Sequence, residues 1–321
     1  MGVKITDVAK MAGVSIATVS NVINETRPVR PETKQRVLDA IRELNYIPDS
    51  SARHFKVGKQ CTIGFIVPDI SNIFFASLIN AVEEVLNADA YDLIIANTHE
   101  DPEKEKERIR GLCGGGADAL IIASTFEHYQ DLANCIPKDF PYILIDRVPI
   151  GSRSDTILTD SRQAVMSGMK QLAQRGHRKV GLIGWKKSLS TTRDRKNAFL
   201  RAAQKYGMQT MIVYSDFGQN VSEVAWDMVR EGCTALLVIN SKLCLELLGL
   251  LYSDSHVPEI VAFCDSPEFE QIFSGASLIV QPSREMGRIA GRRLLNRLQN
   301  PELRPEEMVL QCTYQNGFVE K

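Results

Sequence analysis

The chain has 321 residues, 44% of them hydrophobic and 24% charged, which is globular composition with material for two or three cores. It contains no apolar run of the ~18 residues that a membrane span needs, and its first residues, MGVKITDVAK, lack the apolar stretch of a secretory signal. The net charge of −1 hides a division: residues 1–60 hold ten Lys/Arg against six Asp/Glu, a net of +4, and leave −5 for the rest. A basic head on an acidic body points to a polyanion contact confined to the head. The seven cysteines (61, 113, 135, 233, 244, 264 and 312) are odd in number and form no CxxC pair, so reduced thiols in a cytoplasmic setting are expected rather than disulfides or a zinc site.

The head reads as three short helices. Thr6 is placed to cap a helix starting at Asp7, Gly13 to end it, and Ser15 to cap IATVSNVIN. Val8, Ala9, Val14, Val19 and Val22 are spaced so that the first two helices pack across one tight turn, a helix-turn-helix pattern. A third helix, RPETKQRVLDAIRELNY, has Pro31 and Glu32 in its first turn and an apolar stripe of Val37, Leu38, Ile41 and Leu44. The second helix is odd for a surface helix: Ser15, Ala17, Thr18, Ser20 and Asn21 are short and polar where Lys and Glu are usual. Short side chains let a helix lie deep in the major groove of DNA, where hydroxyls and amides reach base edges.

ITDVAKMAGVSIATVSNVIN followed by VRPETKQRVLDAIRELNYIPDSSAR resembles the head of the lactose-repressor (LacI/GalR) family of bacterial transcription regulators. The resemblance covers the whole head and continues more weakly over the body. It implies that Ile16, Ala17 and Asn21 face bases, that Thr6, Ser15, Thr18, Ser20 and Asn24 serve the DNA contact and its backbone anchoring, and that Arg27 matches a base-contacting arginine of the purine-repressor branch. It also implies a double-stranded operator with two-fold symmetry, read by a homodimer.

PDSSARHFKVGKQ joins head to body, with Pro48 and Gly58 bracketing about two helical turns, too short to be stable alone in water. In the family two such helices pair in the minor groove and push a leucine between base pairs; the aligned residue here is Phe55, also an apolar wedge. Arg53 and Lys56 are expected on phosphates. The alternative for Phe55 is an ordinary linker aromatic that packs on the body.

From Cys61 onward, short apolar runs alternate with amphipathic stretches. The runs are TIGFIVP, YDLIIAN, DALIIAS and YILID, then KVGLIG, MIVYS, ALLVI, IVAFC and SLIVQP. Helices are expected at 73–88, 103–113, 162–174, 194–206, 221–230, 242–251 and 284–299. That alternation means parallel sheets covered by helices on both faces, in two similar α/β lobes with a ligand cleft at the carboxyl ends of the strands. The resemblance implies a periplasmic-binding-protein-like sensor. The expected division is 1–47 for the helix-turn-helix domain, 48–60 for the hinge and 61–321 for the effector and dimerisation domain, with lobe 1 at about 61–158 and 283–307 and lobe 2 at about 159–282 and 308–321.

Residues matching the family's effector contacts are Phe74, Phe75, Asp146, Asp160, Arg195, Phe217, Asn240, Cys264 and Asp265. They supply aromatic faces, a guanidinium, an amide and carboxylates. For Arg195 a pairing with Asp194 or a carboxylate of the other lobe is the alternative, and for Asp146 a turn cap. Where the family commonly has two acids after IVAF this chain has Cys264 and then Asp265, and VINS has Ser241 where Asp is common. A thiol in place of a carboxylate argues against a neutral hexose held in the family's usual way. The effector is left open among a sugar, a sugar acid or phosphate, and a purine-like molecule.

GLCGGGADAL lacks the Lys-Ser/Thr of a phosphate-binding loop and the spacing of a dinucleotide fingerprint, so it reads as a helix-ending turn. The five histidines show no metal spacing, and no GxSxG is present. No catalysis and no cofactor are expected, nor a membrane partner. The tail YQNGFVEK has no leucine heptads, so no tetramerisation helix is expected. The reading is a transcriptional regulator, a repressor modulated by a small molecule. Two alternatives stand: control by a protein partner or no effector at all, and a carbohydrate-binding protein whose head is incidental.

Overall fold

A computed structural model describes residues 3–24, 27–46, 61–215, 220–247, 258–265 and 275–317. The expected contacts Arg53, Phe55, Lys56 and Phe217 lie outside these residues, as does the side chain of Asn24. The chain divides into two compact units, Met1–Gln60 and Cys61–Lys321.

In the first unit, α1 (Ile5–Ala12), α2 (Ile16–Asn24) and α3 (Pro31–Glu43) enclose a small core of Val8, Ala9, Ala12, Val19, Val22, Val37 and Ala40. The first helix begins earlier than expected. Asp7 reaches back to accept the backbone N–H of Lys4 at 2.8 Å, half of a capping box, so Thr6 sits inside the first turn and caps nothing. Gly13 takes the left-handed conformation (φ 65°) that closes α1, and the N–H of Val14 bonds back to the carbonyl of Ala9 at 3.0 Å. Two residues later Ser15 caps α2, its Oγ accepting the N–H of Thr18 at 3.1 Å.

Among the described residues, the second unit holds two six-stranded sheets. The first combines β1 (Thr62–Val67), β2 (Asp92–Asn97), β3 (Ala119–Ile122), β4 (Tyr142–Ile145), β5 (Asp155–Asp160) and β11 (Glu307–Gln311), in the order β2-β1-β3-β4-β5-β11, all parallel. The second combines β6 (Lys179–Gly184), β7 (Gln209–Tyr214), β8 (Ala235–Val238), β9 (Glu259–Cys264), β10 (Ser277–Val280) and β12 (Thr313–Gln315), in the order β7-β6-β8-β9-β10-β12, with only β12 antiparallel. Central strands are apolar throughout because both faces are covered; all six residues of β1 are buried.

The chain passes between the lobes three times, just after Asp160, around Gln281–Ser283 and at Cys312. The expected cuts at 158 and 307 fall short of these points. β5 runs on to Asp160, and β11 pairs with it as far as Gln311. The helix that returns to lobe 1, α11 (Ser283–Gln299), packs on α4 (Ile73–Ala88) so closely that a Cβ on Gly287 would stand 2.6 Å from the carbonyl oxygen of Leu78. The glycine-rich stretch is a turn: α5 (Pro102–Gly111) runs into a π-helical turn, Leu112–Gly116, that leads to β3. Between the strands lie also α6 (Tyr129–Ala133), α7 (Arg162–Gln174) and α9 (Val221–Arg230).

Candidate functional sites: a recognition helix and an inter-lobe cleft

α2 carries no charged residue over its described side chains. Ser15, Ile16 and Ala17 are exposed at its start, and Thr18, Ser20 and Asn21 are half-buried along it. Ile16 is 48% exposed, an apolar side chain presented beside hydroxyls and an amide, the mixture that thymine methyls and base edges call for. In the same unit Lys4, Lys10, Arg27, Arg30, Lys34 and Arg36 are exposed cations. Thr6 is also exposed, on α1.

In the second unit, the carboxyl ends of the strands face each other across a cleft of two adjoining chambers. The first spans about 400 Å³ of space that opens to solvent. Lobe 1 contributes Asn72, Phe74 and Phe75 from the start of α4, and Asp146 and Arg147 from the end of β4. Lobe 2 contributes Trp185 after β6, Thr191, Thr192 and Arg195 from α8 (Ser190–Lys205), and Ile239, Asn240 and Ser241 after β8, with Gln281 from the crossing. The second chamber, about 680 Å³, shares Asp146, Thr191 and Arg195 and adds Thr159, Ser161, Ser190, Arg193 and Asp194.

Each polar group has a traceable setting. Asn72 caps α4 through the N–H of Phe74. Asn240 caps α10 (Ser241–Glu246) through the N–H of Leu243 at 2.8 Å, so its amide NH2 group is what remains for other partners. Phe74 and Phe75 meet edge to face, 5.2 Å between centroids. Arg195 is buried; its guanidinium lies 4.3 Å from the Phe263 ring and donates to the carbonyl of Ile239 and to Oε1 of Gln281, not to Asp194. Asp146 sits at φ +62° in a tight turn closed by Arg147 N–H on the Ile145 carbonyl, an uncommon conformation for a residue with a side chain. Burial raises its pKa above the usual carboxylate value, Arg195 and Arg147 oppose that, and Glu100 adds to it. Asp146 Oδ1 and Arg147 Nε are both buried and have no hydrogen-bond partner.

Phe74, Phe75, Asp146, Arg195 and Asn240 therefore share one cavity. Three expected contacts do not join them. Asp160 turns to Arg162, whose backbone N–H and guanidinium it accepts, and these bonds hold its pKa down at about 2. Cys264 is completely buried in the lobe 2 core and lines neither chamber. Asp265 stands behind Gln281, whose Nε2 donates to it at 2.5 Å, and so reaches Arg195 only at second hand. The case against a neutral hexose built on Cys264 loses its basis, because Gln281 occupies the space between that strand end and Arg195. Sequence reasoning missed Arg147, Trp185 and Gln281. The one available signal was position, since Trp185 and Gln281 follow directly on β6 and β10.

Asp265 has a measurable consequence. Burial pushes its pKa up to about 6, against hydrogen bonds from Ser241 and Gln281 and the charge of Arg195. The folded state thus binds more protons than the unfolded chain between the ordinary Asp value of ~3.9 and that value, and stability falls as pH rises through this window. A shift of about two pH units corresponds to roughly 2–3 kcal/mol lost by pH 7. Asp265→Asn keeps an acceptor for Gln281 without the charge, so urea unfolding should show the variant more stable than the parent at pH 7.5 and little different at pH 4. Equal pH dependence in the two proteins would show that Asp265 is not the group responsible.

Residues 4–49 match the family described as bacterial regulatory proteins, lacI family. Residues 60–242 match periplasmic binding proteins and sugar binding domain of LacI family, and 169–317 a periplasmic binding protein-like domain. The chain is 31% identical over 310 residues to the HTH-type transcriptional repressor PurR of Vibrio vulnificus, covering 93% of this chain and 92% of that one. It is 30% identical to the HTH-type transcriptional regulator KdgR of Bacillus subtilis, with 96% and 95% covered. A PurR from Mannheimia succiniciproducens is 37% identical over 208 residues, 64% of this chain and 62% of that one. The Lac repressor dimer bound to operator and the anti-inducer ONPF shares the fold, with a TM-score of 0.79, 21% identity and 98% of each chain covered. Among the described residues no helix is long and apolar enough to cross a membrane, and no cluster could hold a metal ion. With a helix-turn-helix head and a two-lobed α/β body matched along their lengths, the chain belongs to the lacI family of bacterial regulatory proteins and is a DNA-binding transcriptional regulator.

Proposed function

We propose that the protein is a repressor that binds a palindromic operator as a homodimer and responds to a small molecule held in the inter-lobe cleft. The observation that carries the effector reading is the pair of unpartnered buried atoms, Asp146 Oδ1 and Arg147 Nε, on two residues that line a cavity between the lobes. Buried polar groups are almost always satisfied. A hydroxyl both donates and accepts, so one hydroxyl of a ligand satisfies an acceptor and a donor set side by side. Phe74, Phe75 and Trp185 give the same ligand an apolar wall. This favours a small hydroxylated molecule over an inorganic anion, and over control by a protein partner alone.

The dimer reading rests on lobe 1. β2 is an edge strand, and Ile94 and Ile95 on it are 42% and 46% exposed; Ile70 is 51% exposed. An open apolar strand edge is a pairing hazard unless something covers it, and a second copy with two-fold symmetry covers both edges at once. A dimer presents two recognition helices to two half-sites. Within this reading, residues 1–47 bind DNA, 48–60 form the hinge with Phe55 as the minor-groove wedge, and the remainder is the sensor.

The test is operator selection from random duplexes, followed by binding titrations in rising salt. Recovered sites should be palindromes. A head using about six phosphate contacts should lose roughly a thousandfold in affinity between 50 and 200 mM salt. Non-palindromic sites or a flat salt response would refute the operator reading. A thermal-shift panel of monosaccharides, sugar acids, sugar phosphates and purines tests the cleft; a ligand at 100 times its Kd adds about 2.7 kcal/mol.

A further inference from the structure

Resting on the reading of the cleft as an effector site, we infer that Glu100 is a positioning residue: it fixes Arg147 and, through Lys186 of the opposite lobe, ties the placement of that arginine to closure of the cleft. Glu100 follows β2 in lobe 1 and is buried. Its carboxylate accepts both terminal nitrogens of Arg147, each at 2.8 Å. Such a fork fixes the plane of the guanidinium as well as its position. Nε has no partner and lies beside Asp146, with the Phe75 ring 5.6 Å from the guanidinium carbon.

Lys186 reaches the same residue from lobe 2. Its Nζ donates to the Glu100 carbonyl at 2.8 Å and lies 4.0 Å from Oε2. Lys186 is the neighbour of Trp185, which lines the first chamber. The clasp and the ligand wall are thus consecutive residues on one strand end, and the arginine and its carboxylate are in direct contact on the other lobe. Separating the lobes takes Lys186 away from Glu100 and, among the described residues, leaves Arg147 as the cation paired with it.

The backbone supports a functional demand here. His99 (φ 54°) and Glu100 (φ 59°) are both left-handed, as is Asp146. Non-glycine residues hold that conformation only where their surroundings impose it, and such residues cluster at ligand clamps. The Glu100 N–H is pinned to the carbonyl of Pro68 at 2.9 Å. Other bonds cross the cleft, Lys242 to Asp69 at 2.7 Å, Ser241 to Asn72 at 3.2 Å and the Val148 N–H to Ser190 Oγ at 3.1 Å. None of them is made by the Arg147 side chain, although the last is made by its chain neighbour; Lys186 is the cross-lobe group that shares the carboxylate-bearing residue holding the guanidinium.

The experiment uses the full chain in a Trp226→Phe background, where Trp185 is the remaining tryptophan. Acrylamide quenching of its fluorescence reads closure, and the rate of phenylglyoxal modification of Arg147, followed by peptide mass spectrometry, reads the arginine. Arg162, whose side chain is 70% exposed, serves as the internal reference. Lys186→Met is expected to raise both quenching and Arg147 reactivity, the latter by about fivefold, the upper range for a partly exposed ion pair. Lys186→Arg should restore both, and Arg175→Met, which breaks an ion pair within lobe 2, should move neither. If Lys186→Met leaves both readouts at the parent value, the clasp does not exist. If Trp185 becomes accessible while Arg147 does not, the lysine closes the lobes without positioning the arginine, and the inference fails. Neither readout involves operator or added ligand, so a cleft that binds no effector would overturn the effector reading and leave this result to stand or fall by itself.

Discussion

Asp155→Ala is expected to destabilise the sensor by about 3–5 kcal/mol, the cost of leaving buried charges without their counter-ion. The Asp155 side chain is fully buried at the start of β5. One oxygen accepts Nε and Nη2 of Arg293, at 3.0 and 2.8 Å, and the backbone N–H of Glu306 at 2.8 Å; the other accepts Nε of Arg297. Both arginines are on α11, and Glu306 immediately precedes β11. A single carboxylate therefore fastens the returning helix and the last strand of lobe 1 to the point where β5 begins. Removing it leaves two arginine side chains that are only 13% and 14% exposed, with carbonyls of Arg304 and Leu303 and an exposed Glu306 as poor substitutes. Domains are stable by roughly 5–15 kcal/mol, so the loss is a large share of the total. Asp155→Asn keeps an acceptor oxygen and should lose less. Urea unfolding followed by circular dichroism measures both. A loss under about 1 kcal/mol for Asp155→Ala would show that the arginines find other partners.

The same region shows what a sequence can and cannot disclose. β1 and β6 were legible because a strand covered on both faces must be apolar along its whole length, as TIGFIV and KVGLIG nearly are. β5, DTILTD, has polar residues at both ends because each end holds different partners. Asp155 gathers arginines from α11, and Asp160 accepts the N–H and guanidinium of Arg162. β11 alternates buried and exposed positions at a sheet edge, and its weak pattern placed the lobe boundary several residues early. In the cleft, Phe74, Phe75, Asp146, Arg195 and Asn240 follow apolar runs or open helices, where doubly wound folds put their ligands. Arg147 and Gln281 depend on partners far along the chain, Glu100 at 47 residues' separation and Arg195 at 86, and no local pattern announces such pairs. For Cys264 and Asp265 the alternation of faces holds, but the faces are exchanged: the thiol lies in the core and the carboxylate on the Gln281 side. A short alternating pair has no sign of which face is inward until the neighbouring helices are in place.

Asn21→Ala is expected to change which operator sequences are bound, with a loss of about 1–3 kcal/mol on the original site, or roughly ten- to a hundredfold, the discrimination carried by one good bidentate pair to a base. Asn21 lies on α2, one helical turn after Ala17 and on the side of the helix where Ser15, Ile16 and Ala17 are exposed. An amide donates from its NH2 and accepts at its oxygen in one plane, and so matches the N6 and N7 edge of adenine. The variant removes no charge, so the slope of affinity against salt should stay as it was, while Lys56→Ala should weaken binding to all sequences alike and lower that slope by about one. The two variants thus separate reading from anchoring on two independent axes, consensus and salt dependence. The helix itself should survive the change, since alanine is the better helix former and the cap at Ser15 is untouched. Selection from a random duplex library, run in parallel on parent and variant, gives the answer. The same consensus from both proteins would remove α2 from the recognition role, and a reduced salt slope for Asn21→Ala would place the residue on the phosphates instead of the bases.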